Sequence, residues 1–255
     1  MLVMQIVNIA AYKFVSVPEP QLWLPELIKR CEQLELKGTI IIAAEGINLF
    51  LAGERCHIDS FLEFLRHDDL FGGRFAEIEV KESFSDRVPF KRMVVRQAKE
   101  IITMRCPAID PAQKRAPAVS AQTLKKWIEQ GRDEEGRELV LLDTRNKFEV
   151  DIGTFDDAID LNIERFSQFP EAIAKLKDEI KEKTVVSFCT GGIRCEKAVL
   201  YLMDLGLPSV FQLEGGILRY FEEVGGAHWK NDCFVFDERI ALQPNLEKTT
   251  KISTR

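Results

Sequence analysis

No C-x-x-C pair occurs in these 255 residues, and the six cysteines, Cys31, Cys56, Cys106, Cys189, Cys195 and Cys233, are scattered along the chain. That spacing argues against a zinc ribbon or a dense disulfide framework. Histidine is scarce: His57, His67 and His228 are the only three, and they do not sit at ligand spacing with a carboxylate to make a facial iron site. No G-x-G-x-x-G follows a strand pattern, which removes the usual dinucleotide cradle. No apolar run approaches the roughly 18 residues needed to cross a bilayer. The apolar start MLVMQIVNIAAYKFV lacks a basic leader and a small-residue cleavage site and is interrupted by Gln5 and Asn8, so it reads as a first strand and not as a signal peptide. Excess positive charge is missing as well: 35 Lys and Arg stand against 41 Asp and Glu, a net charge of -6. A generally basic surface is excluded, although a local patch can still bind phosphate. These deficits predict a soluble cytoplasmic protein with reduced thiols, no membrane partner and no metal.

What is present is enough apolar material for a real core, 45% hydrophobic against 30% charged residues. At about 150 residues per domain the length predicts two domains. In the first, residues 4 to 15 read as a strand. Leu22, Trp23, Leu27, Ile28, Cys31 and Leu34 recur at helical spacing and predict an amphipathic helix over 20–37. Thr39 to Ala44 and Asn48 to Ala52 are short apolar runs joined by Glu45-Gly46-Ile47, a hairpin in which glycine supplies an unusual backbone angle. Ile58, Phe61, Leu62 and Leu65 predict a second helix and Phe75 to Val80 a last strand. The order βαββαβ is that of a ferredoxin-like sandwich, an α+β fold, over residues 1–105.

Residues 106–119, CPAIDPAQKRAPAV, carry three prolines and read as an exposed linker. Beyond it, helix patterns at 120–130, 167–181, 195–205 and 217–224 alternate with apolar strands at 139–143, 184–188 and 209–213. Such alternation predicts an α/β domain with a mainly parallel sheet over 120–239. After Trp229 the segment CFVFDERIAL reads as an added edge strand. Residues 240–255 read as a polar tail, frayed from 243 onward.

The sharpest chemical feature is VVSFCTGGIRCEKAVLYLM, where a buried strand delivers Cys189 into a Gly-rich turn that at once opens a helix. That arrangement aims backbone N–H groups and the positive helix end at the sulfur, so a thiolate or persulfide is stabilised and the pKa of Cys189 should fall. Gly191 and Gly192 let the backbone curl closely, and Arg194 adds a cation. The plainer reading is a buried cysteine before an ordinary strand-to-helix turn.

Cys189-Thr190-Gly191-Gly192-Ile193-Arg194 resembles the C-x-x-G-x-R active loop of rhodanese domains, and LVLLDTR at 139–145 resembles their early strand ending in Asp-x-Arg. Related dual-specificity phosphatases use Cys-x5-Arg. The shorter spacing here favours sulfur chemistry over phosphate hydrolysis. AAEGINLFLAG at 43–53, IGTFDDAIDLN at 152–162, FCTGGIRCEKA at 188–198 and EGGILRYFEEVGGAHWKNDCFVFDER at 214–239 are together similar to the rhodanese-containing tRNA uridine hydroxylases. Two departures are Gly46-Ile47-Asn48-Leu49-Phe50, where a Gly-Thr is expected after Gly-Ile-Asn, and a chain that ends sooner after Arg239 than longer members do.

The resemblance implies a ferredoxin-like domain followed by a rhodanese domain. It also implies oxygen-dependent hydroxylation at carbon 5 of the wobble uridine of tRNA, with Cys189 as the active thiol, molecular oxygen as co-substrate, and no flavin or metal. The first competing reading is a sulfurtransferase that carries sulfane sulfur as a Cys189 persulfide, supplied by thiosulfate or a sulfur-donor protein. The second is a non-catalytic module that holds an anion or a protein tail.

Cys195 is either an auxiliary thiol that resolves an oxidised Cys189 or a small packed residue of the helix start. Asp143 and Arg145 either touch substrate or form a structural ion pair. Glu196 reads as a favourable charge at the helix N-terminus. For tRNA, residues 81–105 are the best local candidate: Lys81, Arg87, Lys91, Arg92, Arg96, Lys99 and Arg105 stand against three acids, with Phe84 and Phe90 interleaved. Lys91, Arg92 and Arg96 are the expected RNA contacts. The alternative is a solvated face whose phenylalanines pack inward.

Overall fold

The computed structural model describes residues 5–249. Two compact units emerge, Met1–Ile101 and Ile102–Arg255.

In the first unit the elements are β1 (Ile6–Phe14), α1 (Leu24–Gln33), β2 (Lys37–Ala43), β3 (Gly46–Gly53), α2 (Arg55–His67), β4 (Val80–Ser85) and β5 (Met93–Gln97). The sheet order is β4-β1-β3-β2-β5. The first four strands pair antiparallel, which is the split βαβ arrangement. The proposed strand start at Met4 lies outside the described residues. Gly46 has φ +142, and a Cβ there would meet the Lys13 carbonyl oxygen at 2.0 Å, so glycine is required for β1 and β3 to approach.

Three local expectations change. The first helix is shorter than 20–37: Glu35 turns left-handed at φ 51 and the Leu36 N–H donates back to the Cys31 carbonyl, a Schellman-type stop that tucks Leu36 into the core. Its buried face is Trp23, Leu27 and Cys31, while Leu22 and Ile28 are exposed. Phe75 to Val80 is not a strand up to Val80; Phe71 and Phe75 instead turn inward, edge-on to Trp23 at 5.2 and 5.7 Å. Aromatic burial decides the local conformation there, and pairing with β1 begins only at Val80. Finally, β5 adds a fifth strand parallel to β2 that the order βαββαβ does not contain.

In the second unit, β6 (Ala118–Val119), α3 (Ala121–Gln130), β7 (Leu139–Asp143), α4 (Lys147–Val150), β8 (Gly153–Phe155), β9 (Ile159–Asp160), α5 (Phe169–Ile180), β10 (Thr184–Phe188), α6 (Ile193–Asp204), β11 (Val210–Leu213) and α7 (Gly216–Val224) are followed by β12 (Trp229–Asn231), β13 (Cys233–Phe234) and β14 (Ala241–Leu242). The main sheet runs β6-β11-β10-β7-β9 and is parallel throughout. Strand β10 is central and buried along its whole length. Its alternating side chains serve two cores, as a doubly covered parallel sheet requires. Val185 packs with Val140, Leu142, Ile173 and Leu202, and Val186 and Phe188 pack with Leu124, Ile217 and Tyr220.

The segment 106–119 is only partly exposed. Ile109 and Ala116 join the core of this unit and Ala118–Val119 pair with β11, because apolar residues between prolines still find a buried surface within reach. Among the described residues, none after Trp229 adds a strand to the main sheet: β12 pairs with β8, and β13 pairs with β14 in a separate ribbon. The proposed polar tail from 240 is folded as far as it is described. The Thr249 N–H donates to the Ala241 carbonyl at 3.1 Å and Thr249 is buried. Residues 250–255 lie outside the described residues. No helix among the described residues is long and apolar enough to cross a membrane.

Candidate active site

Strand β10 ends at Phe188, and the next residue, Cys189, sits at its carboxyl end in the middle of the sheet, where open α/β folds place their ligands. Helix α6 begins four residues later, with Gly192 in the left-handed region at φ 98 as its N-cap. The loop carbonyls are engaged by the start of α7: the Ile217 N–H donates to the Cys189 carbonyl at 3.0 Å and the Leu218 N–H to that of Thr190 at 3.1 Å. With the carbonyls tied to that side, loop N–H groups turn toward the sulfur. The Gly192 N–H donates to Sγ of Cys189 at 3.1 Å, and the Arg194 N–H adds a second bond.

Gly216 makes this docking possible. Its φ is +70, and a Cβ there would lie 2.5 Å from the Cys189 carbonyl oxygen and 2.7 Å from the Gly192 nitrogen. The Gly215-Gly216 pair ahead of a helix was visible in the sequence, but nothing local ties it to a loop 27 positions earlier.

Cys189 is fully buried. Burial works against its ionisation. The thiol hydrogen bond from Cys195, the Arg194 charge and the two backbone N–H groups outweigh that cost and lower its pKa to about 5. Cys195, also fully buried, moves the other way: burial and the neighbouring Cys189 raise it well above its ordinary value. The Thr144 hydroxyl donates to the Phe188 carbonyl at 2.9 Å, and its oxygen lies 3.6 Å from Sγ of Cys195. Cys195 thus stays protonated, with its one S–H directed at Cys189. One sulfur is set up as the thiolate and the other as its hydrogen-bond partner.

Arg194 does not reach outward. Its Nη1 and Nη2 donate to the two carboxylate oxygens of Glu149 at 2.6 and 2.7 Å, and both side chains are buried. It therefore acts on the sulfur through charge and through its backbone N–H. Glu149 also accepts from the Asn146 N–H at 3.0 Å, which is half of a capping box on α4. Sequence reasoning missed Glu149; the Asn146-x-x-Glu149 spacing is the signal that marks it as a helix-capping carboxylate, though not as the partner of Arg194.

Asp143 and Arg145 form a structural pair. Arg145 donates to Asp143 from Nε at 2.9 Å and Nη2 at 2.6 Å, and to the Gly153 carbonyl at 2.6 Å, with neither residue exposed to a substrate. Thr154 donates to the same carboxylate at 2.8 Å, so the pair ties β7 to the β8–β12 ribbon.

Cys189, Thr190, Gly191, Gly192, Ile193, Arg194 and Cys195 come together as the sequence predicted. The basic stretch 81–105 does not form one surface. Lys81 and Phe84 lie on β4 and Arg96 on β5, at opposite edges of the first unit's sheet, because the chain between them crosses from one edge to the other. Phe84 is exposed and Phe90 half-buried. Lys91, Arg92 and Arg96 remain together and exposed at the β5 edge. Among the described residues one trio of ligand-type atoms, Glu54, Cys56 and His57, lies within 4.8 Å; it is in the first unit and contains a single imidazole.

Alkylation of Cys189 by iodoacetamide, followed by peptide mass spectrometry across pH, is expected to rise through about pH 5 and to be flat by pH 7, since rate follows thiolate fraction. Cys31 and Cys233, both pushed by burial up to about 12, should stay unreactive over that range. The midpoint is the readout because burial slows Cys189 at every pH without moving its titration. A midpoint at or above the ordinary thiol value of about 8.5 would sink the assignment.

Residues 6–101 match the UPF0176 acylphosphatase like domain, and residues 120–223 match the rhodanese-like domain. Over 250 residues the chain is 58% identical to a tRNA uridine(34) hydroxylase of Burkholderia vietnamiensis, covering 98% of this chain and 88% of that protein. It is 56% identical to the protein of the same name from Paraburkholderia xenovorans, covering 97% of this chain and 87% of that protein. With such identity over nearly the whole chain, the chain belongs to the tRNA uridine(34) hydroxylase family.

Proposed function

We propose that this chain hydroxylates uridine 34 of tRNA, with Cys189 as the reacting thiol, molecular oxygen as co-substrate and the cytoplasm as its place of work. The observation that carries the reading is identity of 56–58% with proteins of that name over nearly the whole chain. The cradle around Cys189 supports it physically, because a thiolate held by two N–H groups, a thiol donor and a neighbouring cation is a nucleophile already charged at neutral pH. In this reading Cys195 positions that thiolate by donating to it and Glu149 fixes Arg194. The hydrogen on carbon 5 of the uracil is replaced by a hydroxyl carrying one atom of dioxygen, and the other leaves as water with two electrons and two protons from an external reductant.

Nucleoside mass spectrometry of tRNA from cells with and without the gene is the direct test. Loss of 5-hydroxyuridine-derived nucleosides on deletion, restored by the wild-type chain, is the expected result. Unchanged nucleosides together with robust thiocyanate formation from thiosulfate and cyanide would favour sulfur transfer instead.

Binding of the tRNA is assigned to the exposed Lys91, Arg92 and Arg96 at the β5 edge. Replacing all three by alanine is expected to weaken tRNA binding and to lower the slope of log affinity against log salt by about 2 to 3, the counterion release of three phosphate contacts. A filter-binding salt titration checks this. A triple variant with wild-type affinity and slope would place the phosphate contacts elsewhere.

A further inference from the structure

Few large apolar side chains of the described residues are left in water: Leu22, Ile28 and Phe84 in the first unit, Phe148 and Phe236 in the second. The last two belong together. Phe148 meets Phe234 edge-to-face with ring centroids 5.0 Å apart, and Phe234 meets Phe236 in the same way, also at 5.0 Å. Three rings thus form a ladder whose two ends stand 47% and 46% exposed.

Every rung of the ladder is fixed to the Cys189 loop. Phe148 directly precedes Glu149, which holds Arg194. The Phe234 carbonyl accepts from the Thr190 hydroxyl at 3.4 Å. The Phe236 ring lies over the Arg194 guanidinium, 5.9 Å from its centroid. An aromatic surface packed only for stability would bury its outer rings, since leaving them in water forfeits the gain from burial. Here the outer rings stay partly in water while Phe234 and Phe236 contact Thr190 and Arg194 of the Cys189 loop.

The chemistry of the loop says what such rings are for. The Gly192 and Arg194 N–H groups are spent on the sulfur and the Arg194 fork on Glu149, so those donors are not available to hold a base. A pyrimidine that is to react at a buried thiol has to leave its stack in the RNA, and aromatic side chains replace that lost stacking with little regard to sequence. We propose that Phe148 and Phe236 form a stacking platform for an unpaired nucleobase of the substrate RNA, at the rim of the Cys189 loop. This rests on the hydroxylase reading above and adds the residues that receive the base.

The test uses the full chain with a tRNA anticodon stem–loop carrying 2-aminopurine beside the target uridine, a probe whose fluorescence is quenched when it stacks. Wild type should quench it. The double variant Phe148→Leu and Phe236→Leu, which keeps apolar bulk but removes both π-faces, should lose the quench and bind roughly ten- to hundredfold more weakly. Phe236→Trp enlarges the stacking face and should bind at least as well as wild type, which covers the case of a leucine variant that folds poorly.

Wild-type affinity and quench in a folded double-leucine variant would overturn the platform, as would a Phe236→Trp protein that loses binding while its melting temperature is unchanged. Modification of intact tRNA by wild type is measured alongside. Ring-dependent quenching without any modification would support the platform while removing the hydroxylase reading. Normal modification with ring-independent binding would do the reverse.

Discussion

Cys189→Ser is expected to reduce formation of modified uridine 34 by at least about a thousandfold, because a serine hydroxyl in the same cradle remains protonated at neutral pH and lacks the nucleophilicity of sulfur. The fold should survive. The replacement is nearly isosteric, and Sγ is held by an N–H donor that oxygen can also accept from. Binding of tRNA should survive as well, since no phosphate contact is removed. Expressing the variant in cells that lack the wild-type gene and digesting their tRNA for nucleoside mass spectrometry gives the first readout; filter binding gives the second. Retained modification would move the chemistry away from the loop. Joint loss of modification and binding would make Cys189 a structural residue and not the reacting group.

Glu149→Ala carries the second large effect, this time on stability. Arg194 is only 4% exposed and Glu149 not at all, so removal of the carboxylate strands a buried guanidinium that water does not reach. Breaking one side of such a pair costs about 3 to 5 kcal/mol, which for a domain of this size lowers the melting temperature by roughly 6 to 20 °C. Removing both charges, as Glu149→Ala with Arg194→Met, should recover most of that loss because no uncompensated ion remains.

The two variants also separate support of the fold from support of the thiolate. In folded Glu149→Ala the guanidinium is no longer neutralised and the Cys189 alkylation midpoint should move to lower pH. In the double variant the cation is gone and the midpoint should move up. A melting temperature unchanged by Glu149→Ala, or midpoints that do not diverge, would remove Glu149 from the account of the site.

Much of this architecture is legible before any coordinates. Runs such as Leu139-Val140-Leu141-Leu142-Asp143 and Thr184-Val185-Val186-Ser187-Phe188 are continuous apolar stretches because their strands are covered on both faces, and the structure places β7 and β10 on just those residues. The Cys189 loop is legible too, since strand, glycine pair and helix start follow one another within a few positions of Cys189. Elements set by distant surfaces are not. Met93 to Gln97 becomes a strand because β2 offers it an open edge, and Phe75 leaves the strand pattern because Trp23 and Phe71 offer it a core.

The sequence by itself determined the two-domain order, the parallel sheet and the cysteine that stands at its centre, because propensity, periodicity and glycine-dependent turns are written in neighbouring residues. Only the tertiary structure decided which carboxylate neutralises Arg194, which glycine lets α7 grip the loop, and which rings stand at its rim. Glu149 lies 45 positions from Arg194, and Gly216 27 positions from Cys189. Those choices are made by burial: a charge, a carbonyl or a ring taken out of water must be satisfied by whatever the folded chain brings within a few ångströms, and that is a property of the packing and not of the local sequence.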